Sequence, residues 1–94
     1  MNSNEMILNT CEIADICEMS YKQVDKDIRE MLKNLNINSE QFSSMGTLDE
    51  KDFEFFDLPK RETLLLAFNY DFKSFVRILD KWQELEATIK DNDF

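Results

Sequence analysis

Residues 20–35, SYKQVDKDIREMLKNL, constrain the fold more than any other part of the chain. Their apolar members recur at helical spacing and form one stripe: Tyr21, Val24, Ile28, Met31, Leu32 and Leu35. Ser20 with Gln23 has the form of a capping box, so a helix should begin there. Four basic residues recur at spacings of four, three and four and line the opposite face: Lys22, Lys26, Arg29 and Lys33. This face is either a nucleic-acid reader or an ordinary solvated helix surface.

The rest of the composition describes one small globular domain. A chain of 94 residues, 43% of them hydrophobic, with eight Phe and one Trp, can build one modest core. No apolar run is long enough for a membrane span and no signal peptide is apparent, so we expect a cytoplasmic protein. Cys11 and Cys17 lie on different faces of a predicted helix in a chain without His. We therefore expect reduced thiols, no metal site and no cofactor.

The net charge of −9 is distributed unevenly. Residues 1–20 carry four acids and no base, residues 21–40 balance to zero, and residues 41–60 carry five acids against two bases. DNA-binding domains are usually net basic, because phosphate neutralisation supplies much of their affinity. This chain must therefore either concentrate positive charge locally or bind something other than nucleic acid.

The order of predicted elements indicates an α+β fold, a small winged-helix-like domain that occupies residues 1–94. An N-terminal arm, residues 1–8, ends in an edge strand, and a helix-turn-helix follows over residues 9–35, with Asn9 and Glu12 capping its first helix. Residues 41–58 should form a two-stranded wing, and residues 59–90 two C-terminal helices, the second capped by Asp71 and long.

Two further sets of apolar residues carry predictions about packing. We expect a core made of Ile13, Val24, Ile28, Met31, Phe55, Leu65, Phe68, Val76 and Leu79. The last predicted helix, about 27 Å long at 18 residues, exceeds what so small a domain needs, and its far end should pack on a second copy. The seam of that homodimer would be Phe75, Ile78, Trp82, Leu85 and Ile89.

Four pieces of the chain, taken in order, resemble the N-terminal domain of the phage regulatory protein Rha family. They are CEIADIC, YKQVDKDIREML, FDLPKRETLLL and RILDKWQELE, and the resemblance covers about residues 8–86. It implies a winged-helix-like domain of phages and prophages that takes part in the regulation of phage development and binds DNA. Carried over by position, it implies reader residues at Tyr21, Lys22, Gln23, Lys26 and Arg29.

Catalysis is the weakest of the function classes. The chain has no His, no nucleophile–base pair at a telling spacing and no phosphate-binding loop. Asp25 and Asp27 lie among basic residues and are more simply a charge ladder on a helix surface. We therefore do not expect an enzyme.

The leading prediction is a small DNA-binding regulator whose second helix enters the major groove. Its contacts with DNA would come from Tyr21, Lys22, Gln23, Lys26, Arg29 and Lys33. The alternative is an acidic anti-defence protein of a phage, such as an anti-CRISPR or anti-restriction factor, that occupies the cationic groove of a basic host protein with carboxylates. That surface would consist of Glu12, Asp15, Glu18, Asp49, Glu50, Asp52 and Glu54.

Overall fold

A computed structural model describes the backbone of residues 6–91 and the side chains of residues 6–88. Within residues 6–91 it contains four α-helices, one short 3-10 helix and a three-stranded antiparallel sheet. The predicted α+β class is confirmed; residues 1–5 of the predicted arm lie outside the described part. The elements are β1 (Leu8–Asn9), α1 (Thr10–Cys17), α2 (Tyr21–Asn34), the 3-10 helix (Ser39–Phe42), β2 (Ser43–Leu48), β3 (Lys51–Leu58), α3 (Lys60–Phe68) and α4 (Phe72–Asp91).

The first two helices begin where their capping residues predict. The Asn9 side chain accepts the backbone N–H of Glu12, and the Glu12 carboxylate accepts the backbone N–H of Asn9, both at 2.9 Å. At α2, the Ser20 hydroxyl accepts the backbone N–H of Gln23 at 3.1 Å. The Gln23 side chain turns to Asp27 instead of back to Ser20, so only half of the predicted capping box forms.

The residues predicted to form a wing contain a β-hairpin, β2–β3, and β3 is the central strand of the sheet. β2 begins at Ser43, two residues after the predicted start, because the preceding residues form the 3-10 helix. The hairpin turns at Asp49 and Glu50, which have φ of 54° and 64°. Two consecutive residues with positive φ suit the right-handed twist of a two-residue hairpin turn. β1 pairs with the other edge of β3.

The core lies between β3 and the four helices. Of the predicted core residues, Ile13, Val24, Ile28 and Met31 are buried as expected. The prediction was wrong for Phe55, which is only half-buried. Side chains alternate between the two faces of a strand, and on β3 the next residue, Phe56, points into the core. The remaining fully buried large side chains include Leu8, Leu32, Phe56, Leu58, Leu66, Ile78 and Trp82.

Phe68 is the largest error in the predicted core. Its side chain is 75% exposed, because it lies on the last turn of α3, on the side away from the buried Leu66 and Ala67. Leu65, Val76 and Leu79 are half-buried.

The predicted dimer seam on α4 also needs correction. Ile78 and Trp82 are 0% and 1% exposed, and the Trp82 indole N–H donates to the Thr63 hydroxyl at 2.7 Å. Helix α3 therefore covers this face of α4, and neither residue is available to a second copy. Phe75 and Leu85 are half-buried against the same core. The side chain of Ile89 lies outside the described residues.

The Thr10 hydroxyl, which is fully buried, should contribute measurably to stability. It accepts the backbone N–H of Phe56 at 2.8 Å and donates to the carbonyl of the same residue at 3.4 Å. We expect Thr10→Val to lower the free energy of unfolding by about 1–3 kcal/mol, because buried backbone groups lose their partner. Thr10→Ser keeps the hydroxyl and should cost less. Urea denaturation that finds Thr10→Val as stable as Thr10→Ser would contradict this role.

Candidate nucleic-acid interface

The outer face of α2 carries three exposed lysines. Lys22, Lys26 and Lys33 are exposed, and none of them takes part in the ion pairs or side-chain hydrogen bonds formed among residues 6–88. At about 1.5 Å per residue, the row extends over roughly 16 Å of helix. We call Lys22, Lys26 and Lys33 the lysine row. Its three ammonium groups are free to meet an anionic partner.

Arg29 lies between Lys26 and Lys33 on the same face of α2, but its side chain forms ion pairs within the chain. Its guanidinium donates to Asp25 at 3.1 Å and to Glu54 on β3 at 2.5 Å, and it lies 4.9 Å from the centre of the Phe56 ring. Hydrogen bonds with Glu54 and Asp25 raise the pKa of Arg29 further above its usual value. Because 45% of the side chain is exposed, Arg29 joins α2 to the hairpin while still facing solvent.

Two other predicted DNA-contacting residues also have partners within the chain. The Tyr21 hydroxyl donates to the backbone carbonyl of Glu54, and its ring packs edge-on against Phe53 with centroids 6.3 Å apart. Burial raises the pKa of Tyr21. The Gln23 amide donates to Asp27 at 2.9 Å. The predicted set therefore divides into three free lysines, two residues that join α2 to β3, namely Tyr21 and Arg29, and Gln23, which is bonded within α2.

The inner acids of α2, Asp25 and Asp27, accept hydrogen bonds from neighbouring side chains. Asp27 accepts the hydroxyl of Tyr70 at 2.8 Å, and burial together with this hydrogen bond raises the pKa of Tyr70. One oxygen of Asp25 accepts from Arg29, while the other is buried without a partner among the described residues. Sequence reasoning missed Tyr70, because the pairing spans 43 residues and no local pattern reveals it. The charged side chains of α2 that have no hydrogen bond or ion pair among residues 6–88 are therefore the lysine row and Glu30.

The alternative acidic surface is largely engaged in holding the fold. Glu12 caps α1, Glu18 lies 3.4 Å from Arg77, and Asp52 accepts from Thr47 at 3.0 Å. Glu54 accepts from the Ser43 hydroxyl at 2.5 Å as well as from Arg29, and these two contacts lower the pKa of Glu54.

Three acids of that set have no ion pair or side-chain hydrogen bond among residues 6–88, namely Asp15, Asp49 and Glu50. Asp15 lies on α1, and the other two form the hairpin turn. The free acids are thus distributed over two elements, whereas the free lysines follow one face of one helix. The lysine row is the more coherent of the two candidate surfaces.

Other kinds of site find no support in the part of the chain that the structure describes. Residues 6–91 contain no group of three or more metal-ligating side chains placed to hold an ion. Both cysteines are free thiols, Cys11 exposed and Cys17 buried. Among helices α1–α4, none combines the length and apolar character needed to cross a bilayer.

Comparison of the chain with protein-family models, with curated proteins and with solved structures gives no match. The role of α2 is therefore inferred from its own contacts and charges.

The contacts of Glu54 predict a pH dependence of stability. Because the Ser43 hydroxyl and Arg29 lower its folded pKa below the ordinary 4.5, the folded state binds fewer protons than the unfolded state. The contribution of Glu54 to the free energy of unfolding is fully present above pH 4.5 and is lost as the pH falls through the pKa of Glu54 in the folded state.

We therefore expect the urea midpoint of the wild type to fall more steeply below pH 4.5 than that of Glu54→Gln. Glu50→Gln, in the hairpin turn, serves as the control and should follow the wild type. Parallel curves for the wild type and Glu54→Gln would show that Glu54 contributes nothing specific.

Proposed function

We propose that the protein is a small DNA-binding regulator, encoded by a phage or prophage, in which α2 enters the major groove. The observation that carries the proposal is the lysine row, three exposed and unpaired ammonium groups along one face of α2. Lysines at this spacing suit contacts with successive phosphates, which supply affinity and fix the position of a helix on the duplex. No catalytic step belongs to this function.

The arrangement of elements supports a winged-helix-like role. Helices α1 and α2 are joined by a short turn as in a helix-turn-helix, and the β2–β3 hairpin packs against α2 through Glu54. Arg29 and Tyr21 hold the hairpin against α2, so we assign them to the support of the reading helix as well as to its surface. Gln23 is exposed at the start of α2 and can pair with an adenine edge by giving up Asp27.

The overall charge limits how this protein would bind DNA. With a net charge of −9, long-range attraction to DNA is absent and only the local field of α2 favours contact. The carboxylates of Asp15, Asp49 and Glu50 lie on the elements that flank the reading helix and oppose phosphate. We therefore expect modest affinity for random DNA and a strong dependence on salt.

Reversing charge in the lysine row tests the proposal. Lys22→Glu/Lys26→Glu should weaken binding to random-sequence duplex DNA by at least about tenfold in fluorescence anisotropy, and the magnitude of the slope of log affinity against log salt should fall by about 2. A matched pair of single variants controls for net charge: Lys73→Glu on α4 should bind almost as the wild type does, whereas Lys26→Glu, with the same change in net charge, should bind more weakly. Circular dichroism checks that the helices persist. Full DNA affinity in the α2 variant would refute the DNA-reader role.

A second candidate function is the acidic anti-defence protein. It is favoured by the net charge of −9 and by the three unpaired acids, Asp15, Asp49 and Glu50. These carboxylates would meet the cationic groove of a host nuclease or CRISPR effector complex where nucleic acid binds.

Neutralising the free acids separates this function from the first. If it holds, Asp15→Asn/Asp49→Asn/Glu50→Gln should slow association with the purified effector, because rim charges act mainly on the association rate. Lys22→Glu/Lys26→Glu should leave that rate unreduced. Surface plasmon resonance measures both variants, and unchanged association after neutralisation would exclude the acidic surface.

A further inference from the structure

The end of α3 and the start of α4 expose aromatic side chains that no described element covers. Phe68 and Phe72 are 75% and 82% exposed, the two most exposed large apolar side chains among the described residues. Phe68 packs edge-on against Phe75, with ring centroids 6.5 Å apart. Together with Asp71, the three Phe rings line a depression of about 330 Å³.

This depression continues toward the end of α2. Phe68 also lines the neighbouring depression, whose other apolar walls are Met31, Leu35 and Leu65. A third depression shares Met31 with the second and extends to Tyr70. We call these three adjoining depressions the aromatic groove; the apolar residues of the first two are Met31, Leu35, Leu65, Phe68, Phe72 and Phe75.

The charges of the aromatic groove are all of one sign. Its lining includes the carboxylates of Asp27, Glu30 and Asp71, and no Lys or Arg. Lys73 and Arg77 act on Asp71, and Lys26 and Lys33 lie four residues before and three residues after Glu30 on α2, but none of these four cations lines the groove. Asp71 is held by the backbone of Ser74, and Asp27 by Tyr70, whereas Glu30 is exposed and has no ion pair among residues 6–88.

We propose that the aromatic groove binds a cationic amphipathic helical segment of a partner protein. Apolar residues on one face of such a helix would cover Phe68 and Phe72, as in helix-in-groove recognition. Flanking Lys or Arg residues would meet Glu30 and Asp71. An exposed aromatic surface rimmed by polar groups is typical of a protein interaction site.

The same charges disfavour a second copy of this chain as the occupant. In a two-fold contact the same surface meets itself, so carboxylates would face carboxylates. Two molecules of net charge −9 also repel each other. The groove and the lysine row have no residue in common, so a partner can bind in the groove whether or not DNA is bound to α2.

The probes for a test are three synthetic peptides and the full-length chain. The first is an amphipathic helix of Leu and Lys, the second has Glu in place of every Lys, and the third has the composition of the first in an order without amphipathic spacing. Isothermal titration calorimetry measures each affinity. We expect the ordered Lys peptide to bind at least about tenfold more tightly than either of the others.

Variants then localise the binding. Phe68→Ser/Phe72→Ser should weaken binding of the ordered Lys peptide by about tenfold or more, whereas Met45→Ser/Leu48→Ser removes exposed apolar side chains from β2 and should have no effect. Glu30→Lys should weaken binding more than Glu50→Lys does, although both change the net charge equally. All four substituted positions in the serine variants are exposed, so thermal melting should show intact folds.

Three outcomes would overturn the proposal. Equal affinity for the first and third peptides, which differ only in the order of their residues, would show that net charge alone attracts them. Unchanged affinity in Phe68→Ser/Phe72→Ser would place the peptide elsewhere. Self-association of the wild-type chain in light scattering that Phe68→Ser/Phe72→Ser removes, without peptide binding, would make a second copy the occupant. The lysine-row variant, Lys22→Glu/Lys26→Glu, should retain peptide binding, so failure of either proposal is recognised separately.

Discussion

The backbone of β3 at Phe56 needs a hydrogen-bond partner that the short strand β1 does not supply. β1 pairs with β3 only through Leu8 and Asn9, opposite Leu58 and Asp57. The chain then turns into α1, and the hydroxyl of its first residue, Thr10, takes the next place in the ladder. A buried N–H and C=O would otherwise be unsatisfied, at considerable cost in free energy. This contact joins the sheet to the first helix and sets where α1 lies.

The orientation of β3 then determines the charges on α2. Side chains alternate along the strand, so Glu54 shares a face with Phe56 and Leu58 and points toward the helices. Its carboxylate receives the guanidinium of Arg29, which lies close to the Phe56 ring. One arginine of a basic helix thereby stabilises the packing of the hairpin, and the positive charge still available to a partner is that of the lysine row.

The sequence predicts those features of the fold that depend on interactions between residues close together in the chain. Asn9 and Ser20 mark helix starts because their side chains accept nearby backbone N–H groups, and the structure confirms both. The β2–β3 hairpin also depends on neighbouring residues, since a two-residue turn sets the register of the two strands. These signals depend on residues within a few positions of each other, so they are legible without knowledge of the rest of the fold.

The errors arise where the choice of face depends on distant elements. Adjacent aromatic residues at 55 and 56 fit either face of β3, and only the position of the helices selects Phe56. The length of the last helix predicts that Trp82 contacts a partner, but α3 covers that face of α4, and no local pattern in the sequence indicates this. The same holds for the proposed DNA interface. Periodicity places Arg29 in the basic row, but its ion pair with Glu54, 25 residues away, is visible only in three dimensions.

Helix α2 belongs to both proposed binding surfaces and connects them through one rigid element. Its outer face presents the lysine row, and its last turns contribute Glu30, Met31 and Leu35 to the aromatic groove. A cationic partner in that groove would neutralise Glu30, which has no hydrogen bond or ion pair among residues 6–88, and so make the field along α2 more positive. Affinity for phosphate would then rise, and by linkage DNA would strengthen partner binding by the same factor. A domain of net charge −9 gains from such coupling, because its attraction to DNA depends on local charge alone.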